Sequence, residues 1–182
     1  MTTTKPSSAG VAFKWTLIYF IASVVLTYAI QLLNMAIDSP LKYLNYVFFI
    51  GFMFMAQKEL RDKLGGFMSF GEAYMHGFLY SVFCGIISAI FIAIYLTILF
   101  PQGIDQIVAA AQAKMQEQGN VSSDQMDTAL NITRKYGVLI ASIGALFGLI
   151  IIGAIIAVIG AAIFNKKRTL QDIENQNPDP AV

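Results

Sequence analysis

Residues 61–77 read RDKLGGFMSFGEAYMHG and hold the only histidine of the chain, His76, with a carboxylate, Glu72, four positions before it. On a helix that spacing puts both side chains on one face. A carboxylate beside an imidazole can relay a proton, and ionisable groups at membrane depth mark proton or ion pathways. The same residues have a second account. Ser69 stands three positions before Glu72, which makes the S-x-x-E box that opens a helix. In it the serine hydroxyl accepts from the backbone N–H of residue 72, and the carboxylate accepts from the N–H of residue 69. The negative charge also suits the positive end of the helix dipole, and Gly65-Gly66 breaks any helix that precedes it. The box explains Glu72 without chemistry. With no second histidine, no nucleophile motif and no cluster of metal ligands, the stretch reads as a hinge. No catalytic residue, metal or cofactor is expected.

Two stripes need elements to position them. Thr16, Ser23, Thr27, Gln31 and Asn34, with Asp38 beyond, recur at spacings that place most of them on one helix side. Polar groups in lipid need partners, so this side faces protein, near Asn45, or a polar cavity. Glu72, His76, Ser23, Thr27, Gln31 and Asn34 are the candidate polar pathway. Gly77, Ser81, Gly85, Ala89 and Ala93 form a second stripe at four-residue spacing, answered by Gly144-x-x-x-Gly148, Gly153, Ala157 and Ala161. Small residues at this period let helix backbones approach in a bilayer, within one chain or between two.

Of 182 residues, 57% are hydrophobic and 13% charged, against about 25% charged in soluble domains. A water-facing surface cannot be built from that supply. The net charge of +1 argues against nucleic-acid binding, which needs clustered cations. A lone cysteine, Cys84, excludes an intrachain disulfide and reads as a small hydrophobe.

A spanning helix needs about 20 apolar residues. Residues 13–37, 73–100 and 138–164 meet this. Residues 41–57 form a shorter aromatic run, either a re-entrant or interfacial segment or a fourth span; a span is preferred because it keeps the basic ends together. The first run is too long for a signal-peptide core and has no convincing cleavage site after it, so it stays as an anchor. With the N-terminus inside, Lys5, Lys14, Lys58, Arg61, Lys63, Lys166, Lys167 and Arg168 lie on the inner side and Lys42, Lys114, Arg134 and Lys135 on the outer, eight against four. Both termini are therefore expected in the cytoplasm. The expected architecture is all-α: a mobile tail over 1–10, a four-helix membrane domain over 11–168, and a mobile tail over 169–182. Within the domain, 101–137 is expected to be an extracytoplasmic amphipathic hairpin. Ile104, Ile107, Val108, Ala111 and Met115 mark its first arm, Gly119-Asn120 the stop, Ser122 and Gln125 a second capping box, and Met126, Ala129, Leu130 and Thr133 the second arm. Its narrow apolar stripes suit the membrane surface or a partner. Asn120-Val-Ser122 and Asn131-Ile-Thr133 are formal glycosylation sequons of a kind that arises often by chance.

The chain resembles a family of small bacterial membrane proteins known only as domain of unknown function 4199. The resemblance rests on Arg61-Asp62, on Gly65-Gly66-Phe67-x-Ser69-Phe70-Gly71-x-Ala73 with Gly77 after it, on Met115-x-Glu117-Gln118-Gly119, and on the glycine-rich last span ending in Lys166-Lys167. It covers residues 10–168 and implies a bacterial inner-membrane protein, without transferring an activity. The sequence favours a non-enzymatic accessory or interaction subunit of an envelope assembly, in contact with membrane lipid and with an envelope protein or a second copy of itself. A small transporter or lipid-carrier flippase acting as an oligomer is the alternative; an enzyme lacks a catalytic constellation.

Overall fold

The computed structural model describes residues 6–33, 43–119 and 122–167. Among them the regular elements are helical: α1 (Ser8–Leu32), α2 (Leu44–Lys63), α3 (Phe70–Ile94), α4 (Gly103–Gln118) and α5 (Ser123–Phe164). Three helices are long and apolar enough to cross a membrane: Ser8–Ile30, Phe70–Leu99 and Ser123–Phe164. In hydrocarbon a helix satisfies its own backbone polar groups, which is why such apolar runs take this form. α2 is not among the three. Its apolar part, residues 44–57, rises only about 21 Å at 1.5 Å per residue. Its last turns carry Lys58, Glu59, Arg61, Asp62 and Lys63.

Two boundaries differ from those expected. α1 begins at Ser8, inside the segment read as a tail. The second arm of the expected hairpin is not a separate helix: α5 runs unbroken from Ser123 to Phe164. The sequence reading divided it at Gly137, but one interior glycine costs a helix only about 1 kcal/mol, too little to end it without a proline or a cap. Gly119, with φ 66°, does close α4 in the left-handed conformation, as glycine does after a helix.

The chain divides into two compact units, residues 1–84 with 150–182, and residues 85–149. In the first, Tyr19, Phe49 and Tyr80 form an aromatic core, Phe49 lying 5.6 Å from Tyr19 and 5.5 Å from Tyr80 between ring centres. Leu60, Met68, Ala73 and Ala161 form a second cluster, flanked by Leu64, Tyr74 and Phe164. In the second unit, α3 ends in a π-helical turn, Tyr95–Leu99, where the Phe100 N–H bonds to the Tyr95 carbonyl at 2.7 Å. Leu96 and Phe100 then pack on Gly103: a Cβ there would stand 2.9 Å from Leu96 Cδ2 and 2.7 Å from Phe100 Cδ1.

Candidate functional site

Residues 64–69 form a tight connection between α2 and α3. α2 ends with the Gly66 N–H bonded to the Arg61 carbonyl and the Gly65 N–H to that of Asp62. These are the two bonds of a Schellman ending. They place Gly65 in the left-handed conformation at φ 81°, and Gly66 follows at φ 86°, values that side-chain-bearing residues adopt only at a cost. Met68 then forms an antiparallel bridge with Lys166, N–H to carbonyl at 3.0 and 2.9 Å in the two directions. α3 opens on the capping box: Ser69 N–H donates to Glu72 Oε2 at 3.0 Å, Glu72 N–H donates to Ser69 Oγ at 3.3 Å, and the Ser69 hydroxyl donates to Glu72 Oε2 at 2.9 Å.

One turn further, His76 is fully buried. Its Nδ1 lies 2.9 Å from Ser8 Oγ on α1. Nε2 makes no hydrogen bond of regular geometry, and the Ala56 backbone faces the ring. Glu72 is exposed and bonded to Ser69, so the two residues are directed to different neighbours by the bonds described. A hydroxyl against an imidazole has the composition of a nucleophile and its base. Activation also needs a third group that orients the base, and Nε2 has no carboxylate bonded to it. The nearby Glu59 is engaged elsewhere, through Lys14, Trp15 Nε1 at 2.7 Å and Lys63 at 2.9 Å. Burial pushes the Glu59 carboxyl up, but the donors from Lys14, Lys63 and Trp15 outweigh it and hold it at about 2. The Ser8–His76 contact joins α1 to α3.

Gln57 on α2 is also fully buried, and the sequence reading missed it. Its Nε2 donates to the Ala73 carbonyl of α3 at 3.0 Å and to the Ala157 carbonyl of α5 at 3.4 Å. Two glycines make room for it. A Cβ on Gly77 would come within 2.8 Å of Gln57 Nε2 and of Ala157 Cβ, and one on Gly160 within 1.9 Å of Gln57 Oε1. Its signal was available: one amide closing the apolar run YVFFIGFMFMAQ.

The small-residue stripes divide. Ser81, fully buried, bonds its own helix at the Gly77 carbonyl, 2.8 Å away, and faces Gly153. A Cβ on Gly153 would meet Ser81 Cβ at 2.4 Å. Gly85 is buried and Ala89 half-buried. Around Gly144 and Gly148 a Cβ would meet nothing within 4 Å. Of the polar stripe on α1, Thr16 is fully buried with Cys84 Sγ 3.6 Å from its hydroxyl. Thr27 bonds back to the Ser23 carbonyl at 2.8 Å. Ser23 and Asn45 stand at the Tyr19 hydroxyl. The side chain of Gln31, and Asn34, Asp38, Lys42, Asn120 and Arg168, lie outside the described residues. Among those described, no three His, Cys, Asp or Glu side chains group as metal ligands.

No curated protein and no solved structure matches the chain. A family model does, over residues 14–166, a match that takes in the α2–α3 connection, His76, Gln57 and the small-residue seam. The chain belongs to the family described as Protein of unknown function (DUF4199).

Proposed function

We propose that this chain is a non-enzymatic accessory or interaction subunit of a bacterial envelope assembly, with four helices in the inner membrane and both termini in the cytoplasm. The observation that carries the reading is how the first unit spends its buried polar side chains. Ser8 with His76, Thr16 with Cys84, and Gln57 with Ala73 and Ala157 each join one helix to another. Such bonds specify packing; they turn Ser8, Thr16 and the Gln57 amide donor towards neighbouring helices rather than towards a substrate. The partners that follow are membrane lipid and an envelope protein or a second copy of the chain, not nucleic acid. A small oligomeric transporter or lipid-carrier flippase is the second reading, favoured by His76 Nε2, buried without a regular hydrogen bond. Purification in mild detergent separates them. A stoichiometric protein partner supports the subunit; a co-purifying polyprenyl lipid, with a stable His76→Asn variant that fails to complement a deletion, supports transport. Topology is checked after Cys84→Ala. Gln116→Cys should react with an impermeant thiol reagent in intact spheroplasts and Ser7→Cys should not; the reverse pattern overturns the orientation.

A further inference from the structure

We infer that the cleft between the α2–α3 connection and the end of α5 holds the headgroup of an anionic phospholipid. The cleft encloses about 400 Å³. Leu64, Phe67 and Met68 give it an apolar lining, and Lys166 and Lys167 supply its cations. Its place follows from the helices around it. α3 begins at Phe70 and α5 ends at Phe164, so the cleft sits where two apolar spans stop and the hydrocarbon gives way to headgroups. A lipid there meets apolar groups and cations in the order its own chemistry requires.

Lys166 is held in place rather than trailing from a loose end. Its backbone is bridged to Met68 in both directions, and its ammonium rests 5.2 Å from the centre of the Phe67 ring. A cation over an aromatic face keeps its N–H donors, so it can still meet a phosphate. Lys167, exposed, follows on the same wall. The Glu72 carboxylate also lines the cleft. It lowers the affinity that two lysines alone would give, and it makes a variant that should bind more tightly.

The inference rests on α3 and α5 spanning the bilayer, not on which side the cleft faces. The full chain, purified in dodecyl maltoside, is titrated with phosphatidylglycerol or phosphatidylcholine while its melting temperature is followed, since a ligand of the folded state raises it. Phosphatidylglycerol should stabilise more than phosphatidylcholine. Lys167→Gln should weaken that preference about fivefold, the equivalent of ~1 kcal/mol per lysine near a phosphate surface, and Lys166→Gln/Lys167→Gln should abolish it. Lys58→Gln, which removes an exposed cation outside the cleft, should leave it unchanged. Glu72→Gln keeps the capping box and should tighten it, so the test survives even if the double variant folds poorly. An equal response to both lipids overturns the inference, as does an equal loss in Lys58→Gln, a Glu72→Gln that binds more weakly, or the same stabilisation by glycerol phosphate alone. Failure of the protein to fractionate with membranes would instead overturn the spanning reading beneath it.

Discussion

The two units of this protein hold their helices by different means. In residues 1–84 with 150–182, polar side chains reach from helix to helix and glycines clear the space for them: Gly77 and Gly160 around Gln57, Gly153 against Ser81. In residues 85–149 the close contacts are apolar, Gly103 against Leu96 and Phe100, and Gly137 with Ile104 Cδ1 3.3 Å from its added Cβ. At Gly144 and Gly148, whose spacing is the most familiar packing motif in the chain, an added Cβ would meet nothing within 4 Å among the described residues. Spacing shows that a backbone can be approached. Only a neighbour of complementary shape makes the approach happen.

Methyl scanning is the hardest test of that difference. Gly153→Ala drives a Cβ into Ser81 Cβ, which is fixed to the backbone and cannot swing away, so unfolding in detergent should show a loss of about 1–3 kcal/mol. Gly144→Ala should be neutral or slightly stabilising, because alanine is the better helix former. Equal effects at the two sites would erase the contrast between the units. Capping provides a control, because it is local and should not distinguish them. Ser69→Ala and Ser122→Ala each remove the hydroxyl of a formed box and should each cost about 1 kcal/mol, measured in the same way. A much larger loss at Ser69 would mean that the Met68–Lys166 bridge depends on the cap.

Gln57→Leu asks how much the polar lock contributes. The amide's two carbonyl partners lie inside helices, so replacing it with an apolar side chain of similar size should cost about 0.6 kcal/mol, the average for interhelical hydrogen bonds in a membrane. A loss of several times that would make Gln57 the keystone of the unit. The smallest effect concerns acid. Glu59 is held at about 2, below its ordinary 4.5. Its contribution is therefore complete above pH 4.5 and is lost as pH falls from there towards 2. The melting temperature should decline across that window, and Glu59→Gln should decline less.

What could be read in advance was what lies close in sequence. Both capping boxes, the break at Gly65-Gly66 and the stop at Gly119 each depend on residues within one or two turns. The partners of His76 and Gln57 are of another kind. Ser8 is 68 positions from His76 and Ala157 is 100 from Gln57, and nothing in the spacing of a single chain names such pairs. The unbroken α5 was missed for a third reason. The change from polar to apolar composition near Gly137 looks like a boundary, yet a helix ends only where its hydrogen bonds are intercepted.

The bridge between Met68 and Lys166 also sets a sequence of events. At synthesis rates of about 5–20 residues per second, the α2–α3 connection is made on the order of 5–20 s before Lys166, which pairs with it. Gln57 waits slightly longer for the Ala157 carbonyl, 100 positions on. During that interval a newborn chain holds an amide bonded only to Ala73 and a Met68 backbone whose partner, Lys166, follows the last helix. A ribosome stalled near residue 150 would leave both open, displaying to membrane quality-control proteases an unfinished seam that the completed protein keeps shut.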